Sequence, residues 1–468
     1  MKIFPPEPKV ALYEEGFEEP DILQRSAVGR SLSDLVERIE DPLVVALDGG
    51  WGTGKTYFLK RWVGAHTLDN EGAAKTVYFD AFANDYVSDP LPALVSTLSK
   101  RFPLADEKIL KRVKVAAFKL AKPLTRIGLA MATFGATEAL SPAGDAAVNA
   151  LNAEASSALE KYWSQEDGRR AAMEEFRSAL TELVKSHSDA EGDDGPVGAR
   201  LVIVVDELDR CRPDYALEVL EVIKHFFAIP GVTFILGANL LALENSVMAR
   251  YGTGIDASAY LRKFIHISLS LPSEIGQRHN VKNGVSVYLN HFISEMGVPL
   301  HIADKLKSHV SLVARNNNIS VRDIGKILSS VSLLSNAILQ NKNVPFGWVE
   351  VTVALLVSRV VRPEMFYKFL NATVTADDLE KYLDATSIRR SQKTASEHNP
   401  DYDHDTWLTF HLWMYLAQNG HLSNEPNVNE RDFGNAFDSF GNPRNPRLIP
   451  KTIYRDWLDL FSAPSAEV

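Results

Sequence analysis

The chain has 468 residues, which corresponds to about three domains. Hydrophobic residues make up 45% and charged residues 24%, so the sequence is that of a chain that buries a core, and disorder throughout is excluded. The net charge of −10 argues against coating nucleic acid by overall charge, and the single cysteine, Cys211, rules out an intrachain disulfide.

No stretch has the ~20 apolar residues that a membrane helix needs, and the first residues lack the apolar run of a secretion signal. The expected location is cytoplasmic. Residues 1–20 are rich in Pro and Glu and read as an extended arm. Leu32, Leu35, Val36 and Ile39 recur at helical spacing and predict a helix over 26–40. Pro42 then opens an apolar strand, Leu43 to Asp48.

That strand runs into Gly49-Gly50-Trp51-Gly52-Thr53-Gly54-Lys55-Thr56, which fits G-x-x-x-x-G-K-[ST] without a mismatch. Glycines let backbone N–H groups turn inward around a phosphate, and the helix that follows adds the positive end of its dipole. Lys55 is placed to reach the β- and γ-phosphates, and the Thr56 hydroxyl to ligate Mg²⁺. These eight residues and the following Tyr57 are the candidate nucleotide contacts, with ATP and Mg²⁺ as the expected cofactors.

Lys75 to Asp80 reads as a second strand, and Pro90 to Lys100 as a helix. The stretch between Lys55 and the next acidic motif is longer than a compact strand–helix–strand connection needs, so a helical insertion is expected over 101–198. Its first half is basic (Lys108, Lys111, Arg112, Lys114, Lys119, Lys122, Arg126) and precedes an uncharged run, Ile127 to Thr137. Two readings are open: a surface for a membrane or a partner, or a solvated helix beside an interior hairpin. A second helix is expected over 160–186, then an acidic loop, Ser188 to Gly195.

Leu201 to Val205 is a continuous apolar strand that ends in Asp206 and Glu207, as in a parallel sheet covered on both faces. Downstream of a phosphate loop, Asp206 is the candidate for the Mg²⁺ shell. Glu207 is the candidate base for the attacking water, which is a poor nucleophile until it is oriented and partly deprotonated. A helix from Pro213, a buried strand Val232 to Asn239, a helix to Tyr251 and a short helix turning into a last strand near Ile267 complete an alternating α/β pattern. From Glu274 onward the pattern is helical without a further convincing strand. Ser320 to Asp323 resembles a capping box, and Val349 to Val361 reads as a core helix. Residues 386–405 read as a polar loop, and Trp407, Phe410, Trp413 and Met414 as a packed helical face. His398, Asp401, Asp403, His404, Asp405 and His411 crowd together without zinc-ligand spacing.

Asp206 to Leu217 (DELDRCRPDYAL) resembles the second nucleotide motif of the KAP family of P-loop NTPases, and Gly50 to Thr56 its first motif, tryptophan included. Phe79-Asp80-Ala81-Phe82 resembles the family's Phe-Asn-Ala-Trp segment, with Asp for Asn and Phe for Trp. Tyr260 to Phe264 resembles its Tyr-Leu-x-Lys-Phe block. The resemblance covers roughly residues 20–330; nothing after about 335 matches a motif.

It implies an additional-strand ATPase core with the catalytic glutamate's strand next to the phosphate-loop strand. It also implies an insertion between the motifs, which in many members holds transmembrane helices; here the uncharged run Ile127 to Thr137 is too short for one. The resemblance further suggests a role in bacterial defence against phages or plasmids. Asn239 stands where related ATPases sense the γ-phosphate, and equally where a helix cap is needed. Arg322 is placed like a second sensor arginine and Arg262 like an arginine finger; either could instead be a paired surface residue. Arg210 and Arg212 either gate the site or pair with Asp209 and Asp214. Cys211 reads as a packed residue.

The expected fold is a three-layer P-loop NTPase core with a parallel sheet, a helical insertion and a mostly helical C-terminal domain. The expected divisions are 1–100 (arm and first part of the core), 101–198 (insertion), 199–272 (second part of the core) and 273–468 (helical domain). The expected function is Mg²⁺-dependent ATP hydrolysis coupled to a conformational switch or motor, with a protein partner on the insertion or the C-terminal domain and a possible homo-oligomer. The alternatives are an ATP-dependent assembly scaffold with little turnover, or a nucleic-acid-stimulated ATPase. The second rests only on the basic stripe and on Arg389, Arg390 and Lys393.

Overall fold

The computed structural model describes residues 3–5, 9–17, 21–102, 107–120, 166–185, 200–226, 229–275, 282–341, 343–383, 404–422, 430–437 and 445–459. Lys122, Arg126, the run Ile127 to Thr137, the acidic loop, Arg389, Arg390, Lys393, His398, Asp401 and Asp403 lie outside them. The chain divides into two compact units, Lys9–Leu271 and Met1–Pro8 with Pro272–Val468.

In the first unit, α1 (Arg25–Arg38) precedes β1 (Leu43–Asp48), and α2 (Lys55–Leu68) leads to β2 (Lys75–Asp80). Then come α3 (Pro90–Arg101), α4 (Glu107–Leu120), α5 (Glu166–Lys185), β3 (Leu201–Asp206) and α6 (Pro213–Phe226). β4 (Val232–Ala238), α7 (Leu240–Tyr251), α8 (Ala257–Leu261) and β5 (Ile267–Ser270) follow. The five strands form one sheet in the order β2-β3-β4-β1-β5, every neighbouring pair parallel.

This order corrects one expectation. The strand carrying Asp206 is not beside the strand that feeds the glycine turn, because β4 lies between them. Local patterning marks each strand as buried but carries no information on which buried strand becomes its neighbour.

Side chains alternate across the sheet with the strand period of two. Val77, Phe79, Leu201, Ile203, Val205, Phe234 and Leu236 enter one apolar layer together with residues of α3 to α7. Tyr78, Val202, Val204 and Ile235 enter the other with α1 and α2. The described part of the insertion belongs to the first layer. Leu110, Val113 and Ala117 of α4 and Phe176, Leu180 and Leu183 of α5 are buried in it, while Arg112 bridges to Glu175 and Glu182 on the outside. Among the described residues no helix is long and apolar enough to cross a membrane.

Residues 9–17 are not an extended arm. Leu12, Tyr13 and Phe17 pack on the α1–α2 layer, Glu15 pairs with Arg61 at 3.1 Å, and Phe17 N–H donates to Asp69. Among the described residues β2 is an edge strand. Its Tyr78 N–H donates to Tyr13 Oη at 2.8 Å and its Thr76 carbonyl accepts from Arg101 Nε at 3.1 Å.

At the amino end of the sheet, Glu37 collects His66 Nε2 at 3.0 Å, Ala74 N–H at 2.7 Å and Arg200 at 3.2 Å, tying α1 to α2 and to the starts of β2 and β3. Burial pushes this carboxyl up, but His66, the Ala74 N–H and Arg200 outweigh that and hold it below its ordinary value. Glu37→Ala strands these donors and is expected to cost the sheet unit about 1–3 kcal/mol. Faster hydrogen exchange of the α1 and α2 amides would report the loss; unchanged protection would contradict it.

The second unit is helical apart from a two-stranded antiparallel ribbon, β6 (Glu274–Ile275) and β7 (Lys282–Asn283), which the sequence pattern did not announce. Two-residue strands are too short to show alternation. α9 (Gly284–Met296), α10 (Leu300–Val313), α11 (Val321–Ser332), α12 (Asn336–Leu339) and α13 (Phe346–Val361) follow. Ser320 and Asp323 close a complete capping box on α11, and nearly every residue of α13 is buried. α14 (Pro363–Leu370), α15 (Ala376–Leu383) and α16 (His404–Ala417) complete its larger helices, so His404 and Asp405 are helical rather than part of a loop. No group of three or more potential metal ligands occurs among the described residues.

Candidate functional site

β1 and β3 both end at the carboxyl edge of the sheet, and the groups singled out in the sequence gather there. After β1 the chain turns through Gly52 and Gly54 with φ of 86° and 87°, where a side chain is strained, and Gly54 caps the start of α2. The Lys55 ammonium, largely buried, folds back to donate to the carbonyls of Gly49 at 2.5 Å and Gly50 at 3.1 Å. Burial lowers its pKa, and Asp209, Asp206 and Asp48 act the other way. Thr53 Oγ1 donates to the Gly50 carbonyl at 3.0 Å. Trp51 and Tyr57 are exposed. The Trp51 indole N–H donates to Asp209 Oδ2 at 2.6 Å, joining the glycine turn to the segment after β3.

Asp206 ends β3 and is 1% exposed. Its Oδ2 accepts from the Tyr78 hydroxyl at 2.7 Å and its Oδ1 from the Glu207 N–H at 2.9 Å. Burial pushes its pKa up to about 6; Tyr78, the Glu207 N–H and Thr56 pull it down, and the Glu207 charge adds to the rise. Glu207 has φ of 59°, a left-handed backbone that is costly outside glycine and concentrates at functional sites. Its Oε1 accepts from Thr56 Oγ1 at 3.3 Å and pairs with Arg210 at 3.1 Å.

Arg210 therefore pairs with Glu207, and Asp209 with Trp51, rather than with each other. Arg212 spans to the segment after β2, donating to the carbonyls of Asp85 at 2.5 Å and Val87 at 3.2 Å, with Asp214 only at 4.0 Å. Cys211 is packed, and burial with the nearby acids Asp85, Asp80 and Asp209 pushes its thiol up.

The remaining candidates are placed as follows. Asn239 accepts from Ala242 N–H at 3.4 Å as the cap of α7, and Asp48 Oδ1 takes the Leu240 N–H at 2.9 Å. Arg262 is exposed at the C-terminal cap of α8 and donates to Ser258 of that helix at 3.0 Å. In the block around it, Leu261 and Phe264 are buried and Tyr260 reaches Tyr251 and Glu221, which anchors α8 to α6 and α7. Arg322 is exposed in the first turn of α11, in the other unit.

Sequence reasoning missed Tyr78 as a member of this site, and named Arg210 there but not its pairing with Glu207. Period-two alternation does put Tyr78 on the same face as Asp80, which pairs in register with Asp206, so a signal for Tyr78 existed.

A profile of the KAP family P-loop domain matches residues 25–338. The chain belongs to the KAP family. The match takes in the glycine turn, Asp206 and Glu207, and the Tyr260–Phe264 block. No curated protein matches this KAP chain. Among solved structures, the Aeropyrum pernix ORC2 protein in its ADPNP–ADP complexes is similar at 12% identity and a TM-score of 0.37, covering 94% of this chain and 97% of that one. The ORC1 protein of the same organism, in complex with DNA, is similar at 14% identity and 0.31, covering 89% and 84%. Likenesses at these scores are too distant to carry a function across.

Proposed function

We propose that this KAP protein binds ATP with Mg²⁺ and hydrolyses it, using the two states to switch the conformation of a partner. The observation that carries this reading is the convergence of Lys55, Thr56, Asp206 and Glu207 at one edge of the sheet. The residues fit the groups they are assigned. The turn from Gly49 to Gly54 has the left-handed glycines that aim N–H groups at a phosphate. Thr56 and Asp206 offer the hard oxygen donors that Mg²⁺ prefers.

In this reading the Lys55 ammonium, which folds onto the Gly49 and Gly50 carbonyls, swings to the β- and γ-phosphates. Trp51 holds the turn against Asp209, and Asn239 senses the γ-phosphate while it caps α7. Thr56 and Asp206, the latter directly or through water, would hold Mg²⁺, which would supply charge neutralisation at the phosphates. Glu207 accepts the proton of the attacking water, with Arg210 and Thr56 on its Oε1. Arg262 and Arg322 are the candidate finger and sensor, supported by their places beyond the core strands. The setting we propose is the cytoplasm, and the role, taken from the family resemblance alone, is bacterial defence.

Phosphate release from ATP by the pure protein tests the proposal. Lys55→Ala is expected to lower both nucleotide affinity and turnover by at least about tenfold, since it removes a charge-assisted contact. Equal rates in wild type and variant would sink it. A second reading, ATP-dependent assembly with slow turnover, takes support from the Arg210–Glu207 ion pair, which engages one oxygen of the assigned base. Oligomer mass with and without ATP separates the two.

A further inference from the structure

The Asp206 carboxylate is held from both neighbouring strands. From β2, Tyr78 pairs in register with Val204 and so sits two positions short of Asp206 on the same face. That diagonal offset is within reach of an aromatic side chain, and its hydroxyl closes on Oδ2. From β4, Gly237 pairs directly with Asp206. A Cβ there would stand 2.4 Å from Asp206 Oδ1 and 2.5 Å from a Leu59 methyl, so the carboxylate occupies the room that glycine leaves.

Tyr78 is itself fixed. The residue is 6% exposed, its backbone N–H is held by Tyr13, and the Lys60 ammonium lies over the ring at 5.6 Å. A buried carboxylate with one free oxygen could turn toward other donors nearby. With Oδ2 held by a phenol and Oδ1 by the Glu207 N–H, its remaining lone pairs keep one direction.

We infer that Tyr78 is a positioning residue for the divalent cation: its hydroxyl sets the orientation of Asp206 and thereby the affinity of the nucleotide site for Mg²⁺. This rests on the function proposed above. A donor behind a metal-ligating carboxylate acts on the metal without touching substrate, and losing one weakens metal affinity about 10–100-fold.

The test is binding of a fluorescent ATP analogue to the full chain, measured in EDTA and across a series of free Mg²⁺ concentrations. Wild type, Lys55→Ala and Tyr78→Phe are compared. Tyr78→Phe is expected to raise the half-saturating Mg²⁺ at least about tenfold while affinity in EDTA stays at the wild-type value. An unchanged Mg²⁺ midpoint overturns the inference. So does an equal fall in EDTA and in Mg²⁺, because a merely structural tyrosine would loosen the whole site.

If Tyr78→Phe does not fold, 3-fluorotyrosine placed at position 78 keeps the phenol and gives a fluorine resonance. That resonance is expected to move when Mg²⁺ joins the nucleotide-bound protein, and a fixed resonance overturns the inference. Lys55→Ala separates the two levels. Wild-type binding in that variant sinks the nucleotide reading. Lost binding there, beside an unshifted Tyr78→Phe midpoint, sinks this inference alone.

Discussion

Glu207→Gln is expected to bind ATP as the wild type does and to release phosphate at least about a hundredfold more slowly, the loss that follows removal of a general base. The amide keeps the size of the carboxylate and can still accept from Thr56, so the site should retain its shape. What goes is the ability to take a proton from water. The amide also no longer holds Arg210 as an ion pair, so any slow turnover that the pair imposes by engaging the base disappears as an explanation. Single-turnover phosphate release beside equilibrium nucleotide binding makes the distinction. Undiminished release would remove Glu207 from the assigned role, and lost binding would make it a structural residue.

The largest stability effect is expected in the helical unit. Glu350 lies on the buried helix α13, almost without exposure. Lys305 stands 3.3 Å from one oxygen; Thr409 donates to the other at 3.1 Å, with His309 Nδ1 at 3.4 Å from that same oxygen. Burial pushes this carboxyl up, but His309, Lys305 and Thr409 together outweigh it and hold the group below its ordinary value. Removing one member of a buried pair leaves the other charge without compensation, so Glu350→Ala is expected to cost about 3–5 kcal/mol.

The pH dependence follows from the same carboxyl. Its folded pKa is depressed, so the unfolded chain binds the extra proton first. The contribution is complete above the unfolded value of about 4.3 and fades as pH falls through the lower folded value. Acid titration of the helical unit by circular dichroism should therefore show a wild-type loss below about pH 4 that Glu350→Gln flattens. Parallel curves would mean that the carboxylate is not what the acid removes.

What could be read from residues alone follows from how local the determinants are. The glycine turn is eight contiguous residues, and Leu201 to Val205 advertises its own burial, so both were legible without a neighbour in view. Strand order was not, since β4 enters between β1 and β3 through crossovers that no local pattern encodes. The packing of residues 9–17 was hidden because its anchors, Leu12, Tyr13 and Phe17, are too few to sustain a helical or a strand period. Tyr78 and Asp206 are 128 positions apart, and only the parallel register of β2 and β3 brings them together. Glu350 did leave a trace, as a lone acid at the start of an apolar helix, which is where a charge needs partners from elsewhere in the fold.

The cover over β2 has a consequence for how the protein is handled. A sheet edge with bare N–H and C=O groups is a template on which another chain can lay a strand. Here Tyr13 and Arg101 take up two of those groups with side chains, and no strand is needed for it. A chain clipped or started beyond Tyr13 would keep its whole glycine turn and both acids, yet would present part of that edge to its neighbours. Such a preparation would favour self-association through the sheet, and assembly seen in it would say nothing about nucleotide.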